Sequence, residues 1–315
     1  MSADRFTVAV VGAGAVGATM AYAMLVRGSA RRIVLHDINS AKVRAEVLDL
    51  GHGAMFTPQA EVDGSDDVAV CRGADVVVVT AGAKQRPGQS RMDLAGTTVE
   101  LMKTILPPVL DVAPDAVYVM VTNPVDVVTY ASLKITGLPP DRLFGSGTVL
   151  DSSRLRWLVS EACGVAVANV HAYMIGEHGD SEVPLWSSAT IGGVPITEWE
   201  KHTGRLGAVR REEVARRTVN AAYEVIAGKG ATNYAVGLAG ARIVEAIRRD
   251  ENRVLPVSTL LQDWHGITDV CMAVPTIVDR AGAGQRLLVP VDGDELARLR
   301  ASADAIRGQA RDLGF

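Results

Sequence analysis

The first half of the chain carries apolar runs that are continuous and do not alternate with polar residues. They are rich in valine, isoleucine and leucine and occupy residues 6–11, 33–35, 75–80 and 116–122. A strand that helices cover on both faces needs apolar side chains on both faces, so such runs indicate a parallel sheet. Stretches with helical periodicity, such as 19–27 and 92–106, separate the runs. This half is therefore predicted to be an α/β domain.

The second half has a different pattern, with alternating runs and long amphipathic stretches. Alternation predicts half-buried strands over 170–175, 254–261 and 269–278, the last two in an antiparallel sheet. Helical spacing predicts helices over 151–163, 205–217, 223–227, 240–249 and 292–311. We interpret 205–217 as a basic surface helix, and 223–227 and 240–249 as helices that contribute to the core.

Three glycines, Gly12, Gly14 and Gly17, directly follow the first apolar run, and Asp37 ends the second one. Gly12 permits a tight turn, Gly14 lets the backbone approach a pyrophosphate, and Gly17 lets the helix pack closely on the strand. A strand, a glycine turn, a helix, a strand and an acid in this order predict a Rossmann unit. The predicted fold class is a Rossmann doubly wound parallel sheet followed by an α+β catalytic domain with an antiparallel sheet.

The carboxylate of Asp37 also indicates which dinucleotide binds. It can accept hydrogen bonds from both adenosine-ribose hydroxyls, and it would repel a 2′-phosphate. Arg31 and Arg32 precede the second strand, on the wrong side to bind such a phosphate, and Lys42 lies beyond Asp37. The predicted cofactor is therefore NAD and not NADP.

Length and composition limit the class of protein. A chain of 315 residues favours two domains, which we place at 1–146 and 147–315. A net charge of −4 argues against a nucleic-acid partner, and the absence of an 18-residue apolar run or a signal peptide predicts a cytoplasmic protein without a membrane partner. The cysteines at 71, 163 and 271 have neither metal-ligand nor disulfide spacing, so no metal site is expected.

The candidate chemistry centres on His178, which stands between two glycines and two acids after the 170–175 run. A histidine held on such a turn can donate and accept a proton near neutral pH, although a lone surface histidine is the more ordinary interpretation. Asp151 and Arg154 are three residues apart on a predicted helix, so they project from one face. They could form a simple surface pair, or they could serve a site.

A basic loop, 84–91, follows the third apolar run and has three cations, a proline and a glycine. We interpret residues 82–96 as a lid over an anionic substrate, with Arg91 as the cation that it delivers. The alternative is an ordinary solvated loop.

Five segments occur together in one order and spacing: 12–17 (GAGAVG), the loop 84–91, 121–126 (VTNPVD), 145–154 (GSGTVLDSSR) and 176–180 (GEHGD). In this order and spacing the chain resembles the L-lactate/malate dehydrogenase family, and most closely its bacterial L-lactate dehydrogenases. The resemblance implies hydride transfer between NADH and pyruvate, with L-lactate as the product and His178 as the acid and base.

The same resemblance implies individual roles. Asp151 would bind one imidazole nitrogen of His178, Arg154 would bind the substrate carboxylate, and Arg91 would polarise the keto group. Asn123 and Thr232 would complete the substrate pocket. The implied cofactor-binding set consists of Gly12, Gly14, Val16, Gly17, Asp37, Lys42, Gly82, Ala83, Thr104, Thr122 and Asn123.

Gln85 bears on the choice of substrate. Malate enzymes of the family carry arginine at this position, because a second substrate carboxylate under a closed lid needs a cation. Gln85 thus favours pyruvate and lactate, although the neighbouring Arg86 could also turn inward. A malate or other 2-hydroxy-acid dehydrogenase remains an alternative, as does an NAD-binding protein that has lost catalysis.

Two further residues, Arg156 and His171, match positions at which bacterial relatives bind fructose 1,6-bisphosphate across a subunit dyad. The resemblance therefore implies an allosteric activator, a homo-oligomer that is expected to be a tetramer, and a role in glycolysis and fermentation. Taken singly, Arg156 is better explained as a solvated helix residue and His171 as a residue of an edge strand, and only their joint match supports a regulatory site.

Overall fold

The computed structural model describes residues 5–83 and 91–315. Its principal element is a nine-stranded sheet. Six strands, β1 to β6, form its parallel part: Thr7–Val11, Arg32–His36, Glu61–Ser65, Val76–Val79, Val117–Met120 and Leu143–Gly145. They lie in the order β6-β5-β4-β1-β2-β3. This is the strand order of a doubly wound dinucleotide-binding fold, and the prediction of a Rossmann sheet is confirmed.

The helices of this half cover both faces of the sheet, which explains the continuous apolar runs. They are α1 (Ala15–Arg27), α2 (Ser40–His52), α3 (Arg91–Val112) and α4 (Val125–Thr136). One core cluster contains Met20 and Met24 of α1, and a second contains Met102 and Leu106 of α3. The strands between them are buried on both sides: every residue of β1 and β4 is buried.

The antiparallel strands of the second half extend the same sheet. They are β12 (Arg253–Leu261), β13 (Val270–Asp279) and β14 (Gly282–Arg286), and β12 joins β6 where Ser258 pairs with Gly145. The sequence indicated an antiparallel sheet but not that it would continue the parallel one. The shared sheet places the two predicted domains side by side, while their boundary at 146/147 stays a prediction.

The other elements of the second half are short strands and helices. The strands β7 to β11 are Val170–His171, Met174–Ile175, Val183–Pro184, Thr190–Ile191 and Val194–Pro195. The helices α5 to α9 are Val149–Cys163, Ile196–Thr203, Ala208–Lys229, Tyr234–Arg248 and Gly293–Asp312. No helix in the described ranges is long and apolar enough to cross a membrane.

Two expectations for this half were wrong. Residues 170–175 form two strands in different sheets, because β7 pairs with β10 whereas β8 pairs with β9. Residues 205–217 and 223–227 belong largely to one helix, α7, and the second stretch is not core: Tyr223 is 47% and Ile226 49% exposed. The side chains of Tyr223 and Ile226 line a cavity, so these residues have the helical spacing of core residues although they are exposed.

Candidate active site

The glycine turn between β1 and α1 needs glycine for steric reasons. Gly12 has a φ of +106°, and a Cβ there would lie 2.6 Å from the backbone nitrogen of Ala81. A Cβ on Gly17 would lie 1.9 Å from the carbonyl oxygen of Gly12. The turn is tied to β4 by the Thr80 hydroxyl, which donates to the Gly12 carbonyl at 2.8 Å. Thr80 was not in the predicted set of cofactor-binding residues.

The N-terminus of α1 fits a cofactor phosphate. Gly14 is its N-cap, no side chain caps the helix, its first turn holds no acid, and open space surrounds the position of a Gly14 Cβ. Free backbone N–H groups at a helix N-terminus favour an anion. Asp37 lies close by, where its Oδ2 accepts a hydrogen bond from the Ala13 backbone at 2.9 Å. Val16 is half-buried and packs against the core below the turn.

The ends of β4 and β5 form the opposite wall of this crevice. The Thr122 hydroxyl donates to the Ala81 carbonyl at 2.7 Å, and a Cβ on Gly82 would lie 2.4 Å from the Thr122 methyl group. Ala83, half-buried, is the last described residue before the basic loop. This close packing fixes the ends of β4 and β5 beside the glycine turn, where a dinucleotide binds in a doubly wound sheet.

Two predicted cofactor residues lie at the margin. Thr104 is exposed on α3, and its hydroxyl donates to the carbonyls of Glu100 and Leu101 in its own helix. Lys42 is half-buried in the first turn of α2, where its backbone N–H donates to the Asn39 side chain. No described hydrogen bond links either side chain to the glycine turn, so both assignments stay predictions.

A hydrogen-bonded chain of three side chains forms the candidate catalytic centre. The Nδ1 atom of His178 lies 2.6 Å from one carboxylate oxygen of Asp151, and a guanidinium nitrogen of Arg154 lies 2.6 Å from the other. Asp151 and Arg154 come from the first turns of α5, and His178 comes from the turn that follows β8. Since Asp151 holds Nδ1, the other ring nitrogen, Nε2, is left for a substrate.

Asp126 supports His178 from behind. This buried side chain accepts a hydrogen bond from the His178 backbone N–H at 2.7 Å and from the Ser258 hydroxyl at 2.5 Å. It therefore connects α4, the catalytic turn and β12. Asp126 was not predicted as a site residue, although it is the one charged residue in 125–133, a signal that could have identified it.

The buried charges shift the titration of this group. Burial alone would lower the pKa of His178, but the carboxylate of Asp151 beside it outweighs burial and raises the pKa to about 9. Burial would likewise raise the pKa of Asp151, but the neighbouring His178 and Arg154 hold it below its usual range. The geometry thus stabilises an imidazolium next to a carboxylate, which is the charge state of a proton donor.

A cavity of about 320 Å³ opens in front of these residues. His178, Asp151, Arg154 and the exposed Asn123 line it, and so do Tyr223 and Ile226 of α7. This volume suits a small organic acid together with the end of a cofactor. Thr232, half-buried just before α8, is not part of the lining, so its predicted role is not supported by a contact here.

The family of the chain follows from comparison with known proteins. The family model for the lactate/malate dehydrogenase NAD-binding domain matches residues 6–145, and that for the lactate/malate dehydrogenase α/β C-terminal domain matches residues 148–312. The chain belongs to the lactate/malate dehydrogenase family.

Individual members of this family match over nearly their whole length. An L-lactate dehydrogenase of Bifidobacterium animalis subsp. lactis is 57% identical over 309 residues, which are 98% of this chain and 97% of the relative. The structure is similar to a lactate dehydrogenase from a Medee basin deep-sea metagenome library, with a TM-score of 0.96, 35% identity and 99% of each chain covered. It is also similar to the minor L-lactate dehydrogenase of Enterococcus mundtii, with a TM-score of 0.95 and 37% identity over 98% of this chain and 99% of that one.

The cavity of this dehydrogenase also contains a buried acid that was not predicted from the sequence. Glu182 follows the catalytic turn and is 4% exposed, and its Oε2 atom has no hydrogen-bond partner. Glu182, Asp151 and His178 present potential ligand atoms within 4.8 Å of one another. Since both oxygens of Asp151 already bind His178 and Arg154, we interpret this group as one that holds protons and not a cation.

Several predicted residues of this dehydrogenase lie outside the described part. Gln85, Lys84 and Arg86 belong to 84–90, and only the backbone of Arg91 is described, as the first residue of α3. The assignments to Gln85 and Arg91, and the lid 82–96, therefore stay predictions.

The structure brings Arg156 to the segment that contains His171. The Arg156 side chain donates to the carbonyl of Ala172 at 2.8 Å and lies over the ring of Tyr173, 5.0 Å from its centroid. His171 is exposed on β7, opposite Thr190. The two predicted allosteric cations are thus neighbours in one surface region.

Proposed function

We propose that this protein is an NAD-dependent L-lactate dehydrogenase that interconverts pyruvate, NADH and a proton with L-lactate and NAD⁺. The observation that carries the proposal is the linked arrangement of His178, Asp151 and Arg154 on one cavity of fitting size. The names of the similar proteins support the same reaction.

Each of these side chains has a task that its contacts support. Arg154 is 15% exposed and uses one nitrogen for Asp151, so its other N–H groups are available to bind the substrate carboxylate. His178 donates a proton from Nε2 to the keto oxygen during reduction and accepts it during lactate oxidation. Asp151 fixes the ring and stabilises its charged form, and Asp126 fixes the backbone that carries it.

The crevice beside the glycine turn fits NAD. The open N-terminus of α1 can bind the pyrophosphate, and Asp37 can bind the adenosine ribose. The bound cofactor would supply or accept the hydride at the substrate carbon, while the residues of this chain bind, orient and handle the proton. Because Asp37 is negatively charged, NAD is preferred over NADP.

Gln85 is the proposed determinant of pyruvate over oxaloacetate. We expect Gln85→Arg to raise activity on oxaloacetate relative to pyruvate at least about tenfold, because it supplies a cation for the second carboxylate. The measurement is kcat/KM for both keto acids, with wild type as the reference. An unchanged ratio would show that this position does not discriminate between them.

Regulation by fructose 1,6-bisphosphate at Arg156 and His171 is part of the proposal, together with a tetramer whose dyad joins two such pairs. Two guanidinium groups and two imidazoles could surround one polyanion. Pyruvate saturation at neutral pH, with and without the sugar bisphosphate, tests it: we expect a lower apparent KM with the effector and no effect in Arg156→Gln. Identical curves in wild type would refute this regulation.

A location in the cytoplasm stays a prediction.

The proposed activity itself is tested by steady-state assays with NADH and pyruvate or oxaloacetate. We expect pyruvate to be the better substrate. Absence of turnover with any 2-keto acid would leave the alternative of a catalytically silent NAD-binding protein.

A further inference from the structure

Among the described residues, three buried carboxyl groups lie in or directly behind the active-site cavity, and only two cationic side chains lie beside them. Asp126 and Asp151 are each 2% exposed, and Glu182 is 4% exposed. Within the described residues, the His178 ring and the Arg154 guanidinium both bind Asp151, and the His178 ring also lies within 4.8 Å of a Glu182 carboxyl oxygen. If all three carboxyls were ionised, negative charge would exceed positive charge among these described groups before an anionic substrate entered. A proton on one of the three would remove this excess and favour the binding of a keto acid.

The hydrogen bonds indicate which carboxyl holds this proton. Asp151 contacts both cations, so its ionised form is stabilised at both oxygens. Asp126 accepts hydrogen bonds from the Ser258 hydroxyl and the His178 backbone, as a carboxylate does. No hydrogen bond from the described residues supports an ionised Glu182, and its Oε2 atom is buried without a partner.

We propose that Glu182 is a specificity-determining residue that remains protonated in the working enzyme, so that the cavity accepts the single negative charge of a 2-keto acid. This proposal rests on the proposed function, since it assigns the substrate class to the same cavity. The neutral carboxyl lines the cavity together with Arg154 and His178. An ionised Glu182 would repel the substrate carboxylate and compete with it for Arg154.

The charged and titratable groups that the described residues place around Glu182 agree with this assignment. They are Asp151 and Arg154 of α5, Glu177, His178 and Asp180 of the catalytic turn and Tyr223 of α7, with Asp126 of α4 behind His178. Burial, followed by the repulsion from Asp151, raises the pKa of Glu182 to about 9, whereas His178 and Arg154 lower it only in part. Asp126 is buried as well, but its hydrogen bonds limit the rise of its pKa to about 6.

Infrared difference spectroscopy tests the protonation directly. Spectra of wild type and Glu182→Gln are compared at pH 7 with NADH and oxamate, an amide analogue of pyruvate, bound to both. We expect wild type to show a protonated-carboxyl C=O band that is missing in the variant. The exposed Glu161 of α5 provides the matched control: Glu161→Gln should keep the band. Absence of the band in wild type would overturn the proposal.

Kinetics test the consequence for binding. At pH 7, Glu182→Gln should change the KM for pyruvate less than about twofold, because the amide imitates a neutral acid. Above pH 9, the KM of wild type should rise more steeply with pH than that of the variant, which retains only the His178 ionisation. A tenfold lower KM in the variant at pH 7 would mean that Glu182 is ionised there, and parallel profiles would mean that it does not affect binding. If wild type turns over pyruvate, either result refutes the proposal for Glu182. If wild type does not turn over pyruvate, the proposed function itself is refuted.

Discussion

The crevice beside the glycine turn and the cavity around His178 are built on different principles. Backbone atoms form the walls of the crevice. Gly12 and Gly17 allow the turn to pack closely, and parallel pairing holds the ends of β1 and β4 side by side. The cavity is made of buried charge, with Asp126, Asp151 and His178 drawn from three separate elements. A site formed by the backbone tolerates substitution of side chains that only select between ligands. A site formed by interacting charged side chains depends on each of those side chains.

Replacing His178 should have the largest effect. His178→Asn removes the proton donor but keeps a polar side chain, so we expect kcat for pyruvate reduction to fall by about 10³-fold. NADH binding, measured by fluorescence titration, should stay within about twofold of wild type because the crevice is separate. A variant that retains more than a tenth of the wild-type kcat would contradict the proposed role of this histidine.

Arg154→Lys should have the next largest effect. Lysine keeps the charge but loses the planar fork, and the loss of about 3 kcal/mol of charge-assisted hydrogen bonding lowers kcat/KM for pyruvate about 100-fold. The exposed Arg217 of α7 offers a control, since Arg217→Lys should leave kcat/KM unchanged. Equal losses in both variants would point to a general effect of the substitution and not to substrate binding.

The smallest effect is expected in the crevice, at Asp37. Asp37→Ser removes the charge that opposes a 2′-phosphate, so the preference for NADH over NADPH should fall about tenfold at low salt. The two kcat/KM values with saturating pyruvate give this ratio. An unchanged ratio would mean that another group selects the cofactor.

The sequence indicated the crevice more completely than the cavity, for a physical reason. Gly12, Gly14, Gly17 and Asp37 lie within one short βαβ unit, so local spacing alone predicts their arrangement. The pairing of Asp151 with His178 spans 27 residues and was inferred from family resemblance.

Glu182 was missed because its importance comes from burial and long-range contact, which spacing does not reveal, and for Asp126 the sequence offers one signal, an acid within the apolar stretch of α4. The same limit explains the exposed apolar residues Tyr223 and Ile226, whose helical pattern predicted a core and whose side chains line a cavity. Residues 170–175 were divided between two sheets because their two halves pair with different later strands, Thr190–Ile191 and Val183–Pro184.

The carboxylate of Asp151 keeps His178 charged, and this makes the histidine the proton donor. The most direct test is to measure the pH dependence of kcat/KM for pyruvate in wild type and in Asp151→Asn. Reduction uses the imidazolium, so in wild type kcat/KM should stay level at neutral pH and fall above about pH 9, where His178 loses its proton. Without the carboxylate, burial lowers the pKa of the ring, so the fall in Asp151→Asn should begin at least about one pH unit lower. Superimposable pH profiles in the two proteins would contradict the account.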